Sequence, residues 1–205
     1  SEMCIRDRIK RPNGPLQDLF TQAGLEWRED GASIYLSGQL SAGDYQLPGN
    51  VSSQFISGML IALASLNQPS SLRLTTPLES APYVDLTLAC QEKFGQKITF
   101  DIGQQTYFIH TGRYQSCHYQ VVGDWSNALY LLLGGATVHG LNLQSVQADR
   151  LALEPLQKMG WQVRETAGHG ISLEADFSRL EHRDLTIDVS QFPDAFPALA
   201  LAASI

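Results

Sequence analysis

Lys93-Phe94-Gly95-Gln96-Lys97-Ile98 and Lys158-Met159-Gly160-Trp161-Gln162-Val163 repeat one pattern, in which a helix ends at a glycine and a strand follows. A third copy stands earlier, at Gln22-Ala23-Gly24-Leu25-Glu26-Trp27. Glycine readily adopts the left-handed backbone conformation that closes a helix. The positive charges of Lys93 and Lys158 interact favourably with the negative end of the helix dipole. The copies lie roughly 70 residues apart, which predicts one supersecondary unit that recurs along the chain.

Further features recur around each helix-closing glycine. A second strand, with alternating apolar and polar residues, follows at Ser33–Leu36, Tyr107–His110 and Ile171–Leu173. Each unit opens with a short strand and a polar helix start, at Gly49–Gln54, Gly123–Ala128 and Asp188–Ala195. The predicted order is strand, helix, strand, helix, strand, strand. The expected fold class is therefore α/β, with repeated βαβαββ units. The first and the last of these units are expected to be incomplete.

The same pattern sets the expected bounds of individual elements. Helices are predicted over Ser52–Ser65, Pro82–Phe94, Ser126–Gly134, Asp149–Met159 and, at the end, Phe196–Ile205. Pro82 suits the first turn of its helix, and Asp149 suits an N-cap. Strands are predicted between the paired helices, at Leu72–Leu74 and Thr137–Val138.

Composition narrows the class of protein. The chain has 205 residues, 43% hydrophobic and 17% charged, which is typical of a globular protein. A net charge of −7 argues against a nucleic-acid or anionic-membrane partner, since both favour clustered Lys and Arg. The three cysteines are widely spaced and the five histidines lack metal-ligand spacing, so we expect reduced thiols, a cytoplasmic location and no metal. Ser1–Arg8 fits nothing that follows and resembles a non-native, adaptor-like tail.

Two predicted helix starts carry small polar side chains. Ser52 and Ser53 open one helix, and Ser80 precedes another. A helix start offers unpaired N–H groups and the positive end of the dipole, so it attracts anions. Together the two starts could hold one phosphate. Serine is also a common N-cap, so Ser52 taken alone is better explained by capping.

Several stretches in register resemble the 5-enolpyruvylshikimate-3-phosphate (EPSP) synthase family of enolpyruvyl transferases. They are Arg11–Leu16, Gly49–Phe55, Pro82–Leu88, Gly123–Ala128, Ser145–Asp149 and Phe192–Ala195. The resemblance implies the family's inside-out α/β barrel fold, with residues 1–8 as the tail, 9–120 as the latter part of a first domain and 121–205 as the opening part of a second.

The resemblance also implies an activity: transfer of the enolpyruvyl group of phosphoenolpyruvate to the 5-hydroxyl of shikimate 3-phosphate, as in chorismate and aromatic amino-acid biosynthesis. It implies no cofactor and, for the full-length enzyme, a monomer. By this resemblance Ser52, Ser53 and Ser80 would hold the phosphate of shikimate 3-phosphate. Gln54 would contact both the shikimate ring and phosphoenolpyruvate, and Tyr83 would contact shikimate 3-phosphate. Arg11 would meet phosphoenolpyruvate, and Asp194 would face the attacking hydroxyl as the catalytic base. Simpler structural roles stay open for three of them: a surface charge for Arg11, a helix-face aromatic for Tyr83 and a cap for Asp194.

Some positions depart from the family pattern. Ala81 stands where the family usually has Lys or Arg, Val122 replaces a Glu, Ala148 replaces a Gly, and Asn13 takes a usually apolar place. Ala81 removes a cation beside the expected phosphate site. Two alternatives stay open: a UDP-N-acetylglucosamine enolpyruvyl transferase, and a non-catalytic paralogue that binds a phosphorylated ligand. As a partial chain, the protein is expected to be inactive by itself.

Overall fold

A computed structural model describes residues 13–31, 33–166, 168–175 and 184–204. The described chain divides into two compact units. The first contains the residues up to Glu79 together with Leu88–Cys117, and the second contains Ser80–Thr87 and the residues from His118 onward. Among the described residues, no helix has both the length and the apolar character needed to cross a membrane.

The first unit combines a helix and hairpin with a four-stranded sheet. Helix α1 (Gly14–Gln22) leads into the antiparallel pair β1 (Glu26–Asp30) and β2 (Ser33–Ser37). The sheet has the order β3-β4-β6-β5, built from β3 (Asp44–Leu47), β4 (Ser70–Leu74), β5 (Ile98–Asp101) and β6 (Thr106–Ile109). Strands β3 and β4 are parallel, as expected when a helix connects them, and the other pairs are antiparallel.

Two helices complete the βαβαββ order. Helix α2 (Ser53–Ser65) connects β3 to β4, and α3 (Ala81–Lys93) connects β4 to β5. The apolar side chains of α2 and β4 form much of the core: Ile56, Leu60, Leu63 and Leu72 are fully buried. The order strand, helix, strand, helix, strand, strand predicted from the sequence is thus confirmed over residues 44–109.

The second unit is built around a buried tryptophan. Its elements after α3 are α4 (Trp125–Leu133), β7 (Val138–His139), a 3-10 helix (Ala148–Ala152), α5 (Leu153–Lys158), β8 (Trp161–Thr166), β9 (Gly170–Ala175), a 3-10 turn (Pro193–Ala195) and α6 (Phe196–Ser204). The strands form an antiparallel sheet in the order β7-β9-β8. Trp125 is fully buried, and its indole N–H donates to the carbonyl of Asn142 at 3.1 Å.

The glycines that close the helices adopt the predicted conformation. Gly24, Gly95 and Gly160 have φ values of +79°, +83° and +96°. Residues other than glycine rarely adopt this left-handed conformation. The glycine therefore recurs at the helix ends for the reason inferred from the sequence.

Three details of the sequence prediction are wrong. Asp149 is not an N-cap, because the 3-10 helix begins one residue earlier and its N-cap is Gln147, so Asp149 lies inside the helix and is buried. The strand predicted just before α4 does not form. The Gly123 N–H donates to the Gly140 carbonyl at 2.7 Å, but residues 118–124 are not part of a strand. Residues 184–189 are likewise not in a strand.

Candidate active site

The start of α2 presents the predicted serines in the first unit. Ser52 is the N-cap, with φ −163° and ψ 122°, and its Oγ accepts a hydrogen bond from the Gln54 backbone N–H at 3.2 Å. Ser53 is half-buried and Gln54 is exposed. The cap uses only an acceptor position of the Ser52 hydroxyl, so its O–H can still donate to an anion. No acidic residue stands in the first turn to repel one.

The turn that precedes Ser52 is fixed by one threonine hydroxyl. Thr76 Oγ1 accepts from the backbone N–H groups of Gly49 (2.9 Å) and Asn50 (3.2 Å), and it donates to Asn50 Oδ1 (2.8 Å). The Glu79 N–H donates to the Gly49 carbonyl at 3.1 Å. Gly49 is needed here because a Cβ would stand 2.5 Å from the Thr76 carbonyl oxygen. The helix start is therefore held by residues just upstream of Ser80.

Ser80 itself belongs to the second unit and has an unusual backbone. Its φ is +54°, a conformation that is rare outside glycine and that costs energy. Its carbonyl accepts from the Tyr83 N–H at 3.2 Å at the start of α3, and its hydroxyl donates to the carbonyl of Ser190 at 3.4 Å. Because the serines are divided between two units, their joint binding of one phosphate stays a prediction.

The half-buried Tyr83 and the buried Asp149 form a polar pair in the second unit. The Tyr83 hydroxyl lies 3.3 Å and 3.5 Å from the two carboxylate oxygens of Asp149. The Ser126 hydroxyl donates to Asp149 Oδ2 at 2.7 Å. Asp149 is only 3% exposed. A buried carboxylate needs such donors, since an unpaired charge inside a protein is very unfavourable.

The electrostatics of this pair follow from burial and neighbouring charge. Burial raises the pKa of the Asp149 carboxyl, the Ser126 and Tyr83 hydroxyls lower it, and the charges of Asp194 and Asp124 raise it. Burial also raises the pKa of the Tyr83 phenol, and the charges of Asp149 and Asp194 raise it further. The phenol therefore stays protonated at neutral pH and acts as a donor.

Asp194 lies in the 3-10 turn Pro193–Ala195, immediately before the apolar helix α6. Its side chain is exposed, whereas Ala195 is fully buried. Tyr83 packs against the buried cluster that contains Ala195, and the charge of Asp194 adds to the burial that raises the pKa of the Tyr83 phenol. Tyr83 and Asp194 thus lie near each other in the second unit, and their joint action on one substrate stays a prediction.

Two residues of this cluster have no site role in the sequence analysis. The sequence indicates Ser126 only as a helix start and Asp149 only as a cap. Their partners lie 23 and 66 residues away along the chain, so no local pattern indicates the contact. Arg11 lies outside the described residues.

The described residues form an α/β protein with one βαβαββ unit over residues 44–109. Residues 7–205 match the family model described as EPSP synthase (3-phosphoshikimate 1-carboxyvinyltransferase). The chain belongs to this family.

Curated relatives agree with this assignment. The chain is 32% identical over 203 residues to a 3-phosphoshikimate 1-carboxyvinyltransferase of Clostridium botulinum, and 34% identical over 206 residues to one of Clostridium kluyveri. Each match covers 96% of this chain, but 46% and 47% of the relative. The chain thus spans about half the length of these proteins.

Solved structures show the same fold. The enolpyruvyl transferase NikO from Streptomyces tendae matches with a TM-score of 0.64 at 18% identity, over 94% of this chain and 49% of that one. EPSP synthase from Acinetobacter baumannii matches with a TM-score of 0.62 at 22% identity, over 95% and 46%. These matches confirm the predicted α/β enolpyruvyl transferase fold.

Proposed function

We propose that this chain is part of an enzyme that transfers the enolpyruvyl group of phosphoenolpyruvate to the 5-hydroxyl of shikimate 3-phosphate and releases phosphate. The observation that carries the proposal is the family match over residues 7–205. The geometry supports it at two places: the free hydroxyl donors at the start of α2, and the exposed Asp194 carboxylate beside Tyr83.

Phosphate binding is assigned to Ser52, Ser53 and Ser80. The Ser52 hydroxyl keeps a free O–H while it caps α2, and it lies at the positive end of the helix dipole. Gln54, exposed in that turn, is assigned to both substrates. Tyr83 is assigned to shikimate 3-phosphate, and Arg11 to phosphoenolpyruvate, for which a guanidinium fork suits carboxylate or phosphate.

Proton transfer is assigned to Asp194. A carboxylate at the start of a helix is stabilised in its charged form by the helix dipole. In that form it accepts the proton of the 5-hydroxyl as this oxygen attacks C2 of phosphoenolpyruvate, while C3 takes up a proton as the double bond opens. The tetrahedral intermediate then loses phosphate from C2 and a proton from C3, which restores the double bond in the product. The other side chains orient the reactants and stabilise developing charge.

The organisation of the whole protein belongs to the same proposal. Residues 9–120 would be the latter part of a first domain and 121–205 the opening part of a second. The whole enzyme would act as a cytoplasmic monomer. The net charge of −7 disfavours nucleic acid or an anionic membrane as partner, and it means that local donors must bind any anionic substrate.

Asp194→Asn tests the proposal in the full-length enzyme that carries this sequence. We expect turnover to fall by about 10²–10⁴-fold, as for loss of a general base, while calorimetry still detects shikimate 3-phosphate binding. The matched control is Asp188→Asn, an exposed aspartate on the same segment whose carboxylate accepts the Ser190 N–H at 2.9 Å. It should keep its rate.

Three results would contradict parts of the proposal. Near-normal turnover of Asp194→Asn with intact binding would remove Asp194 from the mechanism. Turnover with a UDP-sugar acceptor in place of shikimate 3-phosphate would indicate the related transferase. Binding of shikimate 3-phosphate without turnover in the unmodified full-length protein would indicate the non-catalytic paralogue.

A further inference from the structure

The buried carboxylate of Asp149 has no assigned role in the proposed reaction, although it contacts a residue that has one. It is 3% exposed and lies inside the 3-10 helix Ala148–Ala152. The Ser126 hydroxyl donates to its Oδ2 at 2.7 Å, and the Tyr83 hydroxyl lies 3.3 Å and 3.5 Å from its two oxygens. Because Ser126 belongs to α4 and Tyr83 to α3, three segments of the second unit meet at one carboxylate.

The start of α3 is connected to the second unit through such contacts. Residues 80–87 belong to this unit, although the rest of α3 belongs to the first. Side-chain hydrogen bonds join this stretch to other segments of the unit, from Ser80 to the Ser190 carbonyl at 3.4 Å and from Tyr83 to Asp149. Ser80 and Tyr83 lie in one turn, since the Tyr83 N–H donates to the Ser80 carbonyl at 3.2 Å. A contact that holds the Tyr83 side chain therefore also restrains the backbone that carries Ser80.

Ser80 needs this restraint because its backbone is strained. A φ of +54° is unfavourable for serine, and such a conformation persists only where surrounding contacts hold it. The bond from Ser80 to Ser190 is long and exposed, so it is a weak restraint. The bond from Tyr83 to Asp149 is part-buried and its acceptor is a carboxylate, which makes it the stronger of the two.

We propose that Asp149 is a positioning residue: through the Tyr83 hydroxyl it anchors the first turn of α3, which presents Ser80 and Tyr83 to shikimate 3-phosphate. Ser126 holds the same carboxylate from α4. The inference rests on the proposed function, which assigns both residues of the turn to this substrate. Asp149 is buried, so it acts through Tyr83 and not on the substrate itself. A turn that is held in place before the substrate arrives binds it more tightly, because less conformational freedom is lost on binding.

The first test uses the full-length enzyme and separates the two substrates. Asp149→Asn keeps the size of the side chain but replaces one acceptor oxygen by a donor. We expect the KM for shikimate 3-phosphate to rise by about threefold to tenfold, while kcat and the KM for phosphoenolpyruvate stay within about twofold. Calorimetry should show the same loss of affinity for shikimate 3-phosphate. A merely structural role would reduce the amount of folded enzyme, which lowers the apparent kcat and leaves both KM values unchanged.

A double-substitution cycle tests whether Asp149 acts through Tyr83. The variant with Tyr83→Phe and Asp149→Asn together should bind shikimate 3-phosphate no more weakly than Tyr83→Phe alone, since both changes break the same contact. The unfolding free energies of the four proteins, measured without substrate, should likewise be non-additive. Ser126→Ala should weaken binding in the same direction, whereas Ser126→Thr, which keeps a hydroxyl, should restore it. Tyr114→Phe is the matched control, because its phenol donates to Gln91 Oε1 at 2.9 Å in the first unit and its effect should add to that of Asp149→Asn.

Several outcomes would overturn the inference: additive losses in the cycle, an unchanged affinity for shikimate 3-phosphate in Asp149→Asn, or a lower kcat with both KM values unchanged. If Asp149→Asn does not fold, Ser126→Ala and Ser126→Thr decide, and equal affinities of these two would contradict the anchor. An unmodified enzyme that does not bind shikimate 3-phosphate, with non-additive unfolding in the cycle, would contradict the proposed function only. An enzyme that binds it, without coupling between Tyr83 and Asp149, would contradict the role of Asp149 only.

Discussion

Substitution of Ser52 separates a phosphate site from a merely capped helix. Its Oγ accepts the Gln54 N–H at 3.2 Å, which is the capping bond, and its O–H is the donor assigned to phosphate. Ser52→Ala removes both. Loss of the cap should lower the free energy of unfolding by about 0.5–2 kcal/mol. Loss of one hydrogen bond to a charged group, worth about 1.5–3 kcal/mol, should weaken shikimate 3-phosphate binding by roughly 10-fold to 150-fold.

Two further variants keep the cap and differ only in charge. Asn and Asp are both good N-cap residues, so Ser52→Asn and Ser52→Asp should unfold much like the unmodified protein. The amide of Asn can still donate to phosphate, whereas the carboxylate of Asp repels it. At about 4 Å two like charges near a surface interact by roughly 4 kcal/mol, so Ser52→Asp should lose at least about 100-fold in affinity while Ser52→Asn loses little.

The assay combines urea unfolding with calorimetry against shikimate 3-phosphate in the full-length protein. Ser53→Ala is the companion variant, since Ser53 is the first residue of the helix rather than its cap. It should lose affinity with little change in stability. Native affinity in Ser52→Asp, together with native stability, would refute the reasoning, and the serine would then be a cap alone.

Three other predictions follow from named contacts. Gly49→Ala should lower the free energy of unfolding by about 1–3 kcal/mol, because its Cβ would meet backbone atoms of Thr76 and Pro77, whereas Gly58→Ala, open inside α2, should be neutral or stabilising in the same urea titration. Burial raises the pKa of Asp149 in the folded protein, so the free energy of unfolding of the unmodified protein relative to that of Asp149→Asn should be greatest below about pH 3.9 and should fall as pH rises through the native pKa. The facing groups Asp124, Asp194 and Tyr83 are present in both proteins. A difference in unfolding free energy that does not change with pH would contradict the burial argument. The chain Ile9–Ile205 alone should release no phosphate from the two substrates, because it spans only about half the length of its relatives, and measurable phosphate release by this chain would contradict this expectation.

Local signals in the sequence account for much of the fold. Gly24, Gly95 and Gly160 mark helix ends because only the left-handed region closes a helix in this way, and all three have positive φ. Ser52 is predicted at a helix start and is the N-cap. These features depend on a few neighbouring residues, so they can be inferred from a short window of sequence.

The site could be predicted only in part, because its contacts are non-local. Aspartate is a common N-cap residue, but the Asp149 carboxylate instead accepts hydrogen bonds from Tyr83, 66 residues away, and from Ser126. The expected strand before Gly123 does not form, since a strand needs a ladder partner and the segment makes a bond to Gly140 instead. The positive φ of Ser80 has no sequence signal at all, as serine does not favour that region.

The hydrogen bonds between Thr76 and the turn before α2 have a consequence for the order of folding. The Thr76 hydroxyl that holds this turn lies 27 residues after Gly49 and 26 after Asn50, beyond both α2 and β4. The start of α2 can therefore reach its final geometry only after β4 has paired with β3 and brought Thr76 alongside. A peptide that contained α2 alone would lack this turn. The proposed anion site is thus a late, long-range product of folding rather than a property of the helix that displays it.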